Sequence, residues 1–123
     1  MEGFEPYLLA WRERWARQQE ADAELGRCAR ALAVELAALL RDRYGARRVV
    51  LAGSLARGEF RRGSDIDLAA AGIPHDLFFR AGAELEGVAG GLSVDLVPIE
   101  SATPAFLARL AAEGIVLHDA GGE

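Results

Sequence analysis

Apolar residues recur at spacings of three and four along the first third of the chain, the pattern of an amphipathic helix. Residues 6–43 contain one glycine, Gly26, and no internal proline. The polar stretch QQEADAELG interrupts the apolar stripe, and glycine lowers helix propensity by about 1 kcal/mol relative to alanine. The pattern therefore predicts two helical pieces joined between Gln18 and Gly26. The stripe consists of Leu8, Trp11, Trp15, Leu25, Cys28, Leu32, Leu36 and Leu39.

Beyond Gly45 the pattern changes to short apolar runs separated by turn residues, which is typical of strands alternating with helices. The predicted strands are residues 47–53, 64–72, 92–99 and 115–119, the last at a sheet edge. The predicted helices are a short one from Ser54, residues 75–88 with Phe78, Phe79 and Leu85 as apolar contacts, and residues 104–113 capped by Ser101 or Thr103. This order predicts an α/β (α+β) fold with helices against one sheet.

Two predicted strands carry carboxylates on one face. In SDIDL, Asp65 and Asp67 point to one side and lie roughly 7 Å apart at Cα, while the apolar residues point to the core. Such like charges repel unless a cation lies between them, and hard oxygen ligands suit Mg²⁺ or Mn²⁺. If the next strand is a neighbour in register, Asp95 joins them in a three-carboxylate cluster that could hold two metals roughly 4 Å apart.

The turn before these carboxylates carries the complementary features. Gly53 and Ser54 lie between a strand and a helix, where free backbone N–H groups and the helix dipole favour an anion. Arg57 follows within a few residues, and so do Arg61 and Arg62. A guanidinium group can bind two phosphate oxygens at once. Carboxylates for metal beside an anion cradle indicate a nucleoside triphosphate site.

Composition excludes several other functions. The chain has a net charge of -5 and its 14 basic residues are all arginine, so chemistry that needs a lysine amine is excluded. The acidic balance argues against binding to duplex nucleic acid. Cys28 is the only cysteine, which excludes an internal disulfide and a cysteine zinc site, and we expect it to be a small buried residue. We find no membrane span or signal peptide, and we expect a cytoplasmic protein.

The spacing of these motifs resembles a known superfamily. Gly53-Ser54, ten intervening residues, Asp65-x-Asp67 and a later strand aspartate resemble the polymerase-beta-like nucleotidyltransferases. Within that superfamily, GSLARG followed by SDIDL most resembles the minimal nucleotidyltransferases, the antitoxin partners of HEPN-domain toxins. The resemblance runs over residues 25–118. It implies a short mixed sheet with helices packed on one face.

The resemblance also implies roles for individual residues. Asp65, Asp67 and Asp95 would bind Mg²⁺, most simply at a two-metal site, with Mn²⁺ as the alternative. Asp95 would also act as the base. The residues that would bind the nucleotide are Gly53, Ser54, Arg57 and Ser64. ATP would be the substrate, and AMP would pass to a tyrosine of a cognate HEPN ribonuclease toxin and silence it. Two departures from the family pattern, Ala52 and Arg62-Gly63, put base preference and loop shape in doubt more than activity.

Alternatives remain open at the level of sequence. A binding module could neutralise the same partner by occlusion, although such a module is expected to lose part of the acid triad. A small-molecule nucleotidyltransferase, of the kind that modifies aminoglycosides, is disfavoured because no added helical domain is present, although a homodimer could supply the second wall. We divide the chain into an amphipathic helix, residues 1–24, and a minimal nucleotidyltransferase domain, residues 25–123. The tryptophans of the first segment could pack on the core or dock a partner, which would make the protein a hetero-oligomer.

Overall fold

A computed structural model describes residues 5–121. The helices are α1 (Glu5–Tyr44), α2 (Gly53–Arg57), α3 (Phe78–Val88) and α4 (Pro104–Glu113). The strands are β1 (Arg48–Ala52), β2 (Ile66–Ala71), β3 (Val94–Pro98) and β4 (Ile115–Asp119). Single 3-10 turns, His75–Leu77 and Ile99–Ser101, precede α3 and α4. None of the described helices is apolar over a stretch long enough to cross a membrane.

The four strands form one mixed sheet in the order β3-β2-β1-β4. β1 lies antiparallel to both β2 and β4, whereas β2 and β3 are parallel because α3 crosses between them. β4 lies at the sheet edge, as the sequence predicts. The predicted α/β (α+β) fold is therefore confirmed, and the parallel pair brings the two aspartate-bearing strands side by side.

The long N-terminal helix is continuous, so the predicted break between Gln18 and Gly26 is wrong. α1 runs unbroken for 40 residues. Gln18 donates a side-chain hydrogen bond of 3.0 Å to Asp22, four residues on, which stabilises the polar stretch in helical form. Gly26 packs near Phe60, since a Cβ built on it would lie 3.8 Å from the Phe60 Cβ. A small residue at this position suits the contact, and one glycine does not end a helix of this length.

The face that α1 buries differs slightly from the predicted one. Cys28 is exposed, which corrects the expectation of a buried cysteine. The side chains that pack on the sheet are instead those of the next row around the helix, because their small alanines let the helix approach the sheet closely. The buried residues of α1 are Ala29, Ala33, Leu36, Ala37, Leu40 and Tyr44. They all lie in the second half of the helix, which therefore carries the packing of α1 against the domain.

The first half of α1 leaves its apolar side chains in solvent. Leu8, Trp11 and Trp15 are 54%, 57% and 56% exposed, so the interpretation that they pack on the core is wrong. Phe79 of α3, predicted as a core contact, is 87% exposed. Within α3 the core contacts come from Ala81 and Leu85. These exposed aromatics are available to a partner.

The assignment of the buried face of α1 can be tested by replacing one buried and one exposed side chain with alanine. Leu36 is fully buried and Val34, two residues earlier on the same helix, is 58% exposed. Leu36→Ala should lower the free energy of unfolding by about 2–5 kcal/mol, because it leaves a cavity in the core. Val34→Ala should change it by less than about 0.5 kcal/mol. Chemical denaturation of both variants checks this, and equal effects would contradict the assignment of the buried face.

Candidate active site

Two carboxylates lie on neighbouring strands of the sheet. Asp67 of β2 is the register partner of Asp95 of β3 across the parallel pair, and of Ala52 on the antiparallel side. Neighbouring strands are about 4.8 Å apart, so the two aspartates stand side by side on one face. The register that the sequence argument required is thereby confirmed, and both side chains line one cavity.

The glycine at the end of β1 makes room for one of these carboxylates. Gly53 has a φ of +67°, a backbone conformation that L side chains rarely adopt. A Cβ built on Gly53 would lie 2.1 Å from the Asp67 Oδ2, well inside van der Waals contact. The turn from β1 into α2 therefore requires glycine for two reasons, and the second ties the glycine-serine motif directly to the aspartate motif.

The electrostatic environment of Asp67 is unfavourable for its own charge. Partial burial raises the pKa of Asp67, and the neighbouring charges of Asp95 and Asp65 raise it further. The guanidinium of Arg57 acts in the opposite direction and lowers the pKa, but its effect is the smallest of the four. A site with this imbalance is stabilised by a bound cation, since a cation would favour the ionised carboxylates.

Asp65 stands somewhat apart from the pair. The predicted strand began at residue 64, whereas β2 begins at Ile66, so Asp65 lies just outside the strand and is exposed. Within residues 5–121, no three His, Cys, Asp or Glu side chains are arranged to hold a metal ion as they stand. The structure thus brings Asp67 and Asp95 together and leaves Asp65 beside them, near enough for its charge to affect the pKa of Asp67.

Arg57, at the end of α2, is held by two acidic partners. Its Nε donates to Glu59 at 3.0 Å, and its Nη1 lies 3.6 Å from a carboxylate oxygen of Glu113 in α4. The hydrogen bond to Glu59 is the main reason that the pKa of Arg57 is raised. Arg57 also lines the cavity that contains Asp67. Arg57 thus places a positive charge near enough to Asp67 to lower its pKa.

The cavity has a volume of about 220 Å³ and its far wall comes from α4. Thr103 caps this helix, as the sequence allowed, by accepting a hydrogen bond of 3.1 Å from the Phe106 N–H. Sequence reasoning missed the contribution of α4 to the site. The sequence of α4 offered a signal for this contribution, because residues three and four positions apart lie on one face of a helix. The α4 residues that line the cavity are Phe106, Arg109, Leu110 and Glu113.

Ser54 and Ser64, which the sequence assigns to nucleotide binding, do not line this cavity. The Ser54 carbonyl accepts from the Glu59 N–H at 2.8 Å in the turn that ends α2. The Ser64 hydroxyl accepts from the Arg61 N–H at 3.1 Å and closes the turn before β2. Of the predicted site residues, Gly53, Arg57, Asp67 and Asp95 are the ones that the structure gathers around the cavity.

Comparison with known proteins agrees with this geometry. Residues 35–121 match the model of the polymerase beta nucleotidyltransferase family. The chain belongs to that family. The matched segment begins within α1 and includes all four strands, the glycine-serine turn and every predicted site residue. No curated protein sequence matches the chain significantly.

Solved structures narrow the resemblance to small members of the family. A protein described as a candidate minimal nucleotidyltransferase is 35% identical, with a TM-score of 0.57 and coverage of 76% of this chain and 94% of that one. A toxin–antitoxin structure with AMP-PNP is 26% identical, with a TM-score of 0.62 and coverage of 71% and 73%. A complex of tri-AMPylated HEPN toxin with MNT antitoxin from Shewanella oneidensis shares the fold at 22% identity, a TM-score of 0.58 and coverage of 74% and 72%. The resemblance to minimal nucleotidyltransferases is confirmed.

Proposed function

We propose that this protein is a Mg²⁺-dependent nucleotidyltransferase that transfers AMP from ATP to a tyrosine hydroxyl of a HEPN ribonuclease toxin and thereby neutralises it. The observation that carries the proposal is the in-register pair of Asp67 and Asp95 beside Gly53, whose missing side chain leaves space for the Asp67 carboxylate. Asp67 is partly buried beside the charge of the exposed Asp95, an arrangement that is costly for a fold that has no use for it.

The donor set suits the metal that the family implies. Asp67 and Asp95 offer adjacent hard oxygens, and Asp65 is two residues from one of them. These three carboxylates would hold Mg²⁺, or Mn²⁺, as a two-metal site. The chemistry that the bound metal supplies is stabilisation of the charge on the transferring phosphoryl group. Because Asp65 lies outside β2, its side chain would have to turn toward the pair.

The remaining residues would position and deprotonate the reactants. Arg57 offers a charged donor toward the triphosphate, and Gly53, Ser54 and Ser64 would contribute from the turns around it. The tyrosine oxygen attacks the α-phosphorus, the bond from that phosphorus to the bridging oxygen breaks, and pyrophosphate leaves with the electron pair. Asp95 takes the proton of the hydroxyl. One phosphodiester bond forms for each phosphoanhydride bond that breaks.

A protein acceptor fits the small size of the site. The cavity is lined by residues of β1, β2, β3, α2 and α4 and holds about 220 Å³, which leaves the attacking side for a separate chain to complete. The relative at 26% identity was crystallised as a toxin–antitoxin with AMP-PNP, which supports both a nucleotide and a toxin partner. Neutralisation by occlusion alone would not require the carboxylate pair.

Intact mass spectrometry tests the proposal. The purified protein is incubated with Mg²⁺ and ATP, with and without a co-encoded HEPN protein, and both chains are weighed. We expect the partner to gain whole AMP units only when ATP and Mg²⁺ are both present. A stable complex with no mass shift would contradict the transfer and would favour neutralisation by occlusion.

Arg57 provides a second test at the level of nucleotide affinity. Arg57→Gln should weaken ATP binding by roughly 10-fold or more, because a charge-assisted hydrogen bond contributes about 1.5–3 kcal/mol. Its ion pairs are solvent-exposed, so the free energy of unfolding should change by less than about 1 kcal/mol. Calorimetric titration with a non-hydrolysable ATP analogue and a thermal melt measure both quantities. Arg80→Gln, an exposed arginine on α3, is the matched control, and equal affinities for ATP in the two variants would refute the role of Arg57.

A further inference from the structure

The cavity around Asp67 contains a second arginine, which neither sequence motif includes. Arg109 of α4 lines the cavity together with Glu113, four residues further along the same helix. Residues four positions apart lie on one face of a helix, so α4 presents both a cation and an anion to the cavity. At a rise of 1.5 Å per residue, these two positions are about 6 Å apart along the helix axis.

The two arginines of the cavity differ in their partners. Arg57 donates a hydrogen bond to Glu59 and lies 3.6 Å from a carboxylate oxygen of Glu113. Arg109 forms no ion pair and no side-chain hydrogen bond with any residue in the described range, 5–121. The positive charge of Arg57 is therefore engaged by protein carboxylates, whereas that of Arg109 is available to a ligand.

A shortage of carboxylates does not explain why Arg109 is unpaired. The same cavity is lined by Asp67, Asp95 and Glu113. A guanidinium that served to neutralise one of them would contact it, as Arg57 contacts Glu113. Arg109 is exposed, so water solvates its charge and its five N–H donors remain free to bind an incoming group. The group that suits these donors is an anion, and phosphate matches the planar guanidinium with two oxygens at once.

A role in stabilising α4 does not account for Arg109 either. The last turn of α4 contains no basic residue, so Arg109 lies too early in the helix to complement the negative end of its dipole. An arginine that precedes a glutamate by four residues is also the less favourable order for an ion pair within a helix. Glu113 in fact contacts Arg57 rather than Arg109.

We propose that Arg109 binds phosphate oxygens of the nucleotide from the α4 wall and makes the site selective for nucleoside triphosphates over monophosphates. Arg57 holds one part of the phosphate chain. Arg109, about one helical turn along α4 from the contact between Arg57 and Glu113, holds another part. A triphosphate offers oxygens to both guanidinium groups, whereas a monophosphate offers them to only one. This inference rests on the proposed function, because it requires the nucleotide to occupy this cavity.

Calorimetric titration in Mg²⁺ buffer tests the selectivity with two probes, a non-hydrolysable ATP analogue and AMP. Arg109→Gln should weaken binding of the ATP analogue by about 10-fold or more, because a charge-assisted hydrogen bond is lost. Its affinity for AMP should equal that of the wild type. Arg109→Lys keeps the charge but not the paired donors, and should give an intermediate loss.

Two controls accompany these titrations. Arginine and glutamine are both good helix formers and Arg109 is exposed, so Arg109→Gln should keep the wild-type melting temperature. Arg80→Gln removes an exposed arginine from α3, away from the cavity, and should bind both probes as the wild type does.

The outcomes separate this inference from the proposed function. If the wild type binds the ATP analogue and Arg109→Gln binds it equally well, Arg109 does not bind the phosphates and only this inference fails. Equal losses of affinity for the ATP analogue and for AMP would likewise overturn the selectivity while leaving the transfer reaction in place. A wild type that binds no ATP analogue would overturn both proposals.

Discussion

Replacing Asp67 by asparagine should abolish nucleotide transfer and leave the protein folded. Asparagine has nearly the same shape but no charge, and metal ligation at this site depends on carboxylate charge. Loss of several kcal/mol of transition-state stabilisation corresponds to a rate decrease of roughly 10³-fold or more. Since burial and two neighbouring carboxylates disfavour the ionised form of Asp67, its loss should not destabilise the protein in metal-free buffer. Transfer rate and melting temperature in EDTA measure the two effects.

The matched control is Asp76→Asn, an exposed acid in the 3-10 turn before α3. It removes the same charge at a distance from the cavity and should retain the wild-type rate. Combining Asp65→Asn with Asp67→Asn should add little to the loss, because residues that act as one unit are not additive. Undiminished transfer by the double variant would exclude these carboxylates from the reaction.

Gly53→Ala should reduce transfer by about 10²-fold, because a displacement of about 1 Å at a reacting group has an effect of this size. The added Cβ would lie 2.1 Å from the Asp67 Oδ2, so the carboxylate must turn away from its position beside Asp95. The positive φ of +67° adds a cost of about 1–2 kcal/mol to the folded state. The variant should therefore lose both activity and stability, as measured by transfer rate and chemical denaturation.

Gly45→Ala separates these two effects. Gly45, after the end of α1, has a φ of +71°, but a Cβ there meets nothing within 4 Å. It should lose a similar free energy of unfolding from backbone strain and keep full activity. If both alanine variants retained the wild-type transfer rate, the contact between the glycine turn and Asp67 would have no role in the reaction.

The central part of the site could be predicted because strand periodicity and spacing are local properties. Because side chains alternate along SDIDL, Asp67 points to the face opposite that of the buried Ile66 and Leu68. The same alternation along β3 predicts the direction of Asp95. Only the register between the two strands needed to be assumed, and the parallel pair supplies it. The sequence spacing between the glycine-serine turn and the aspartates is also a local property, and it allowed the family to be predicted.

Features that depend on tertiary contacts could not be predicted in this way. The predicted helical break near Gly26 was wrong, since α1 is continuous. The predicted burial of Cys28 was wrong because α1 approaches the sheet closely along its alanines, and that approach decides which side chains are buried. Phe79 was assigned to the core from its type alone. The α4 wall of the cavity comes from a helix distant in sequence from both motifs, so no local pattern linked Arg109 to Asp67.

The most direct measurement is anomalous diffraction from a crystal grown with Mn²⁺ and a non-hydrolysable ATP analogue. We expect Mn²⁺ to be bound by Asp67 and Asp95, with Asp65 turned toward them, and the triphosphate to lie beside Gly53 and Arg57. Manganese and nucleotide bound together elsewhere, such as in the groove between α1 and the loop that follows α2, would contradict it. So would a nucleotide bound at the cavity with no metal on the carboxylate pair.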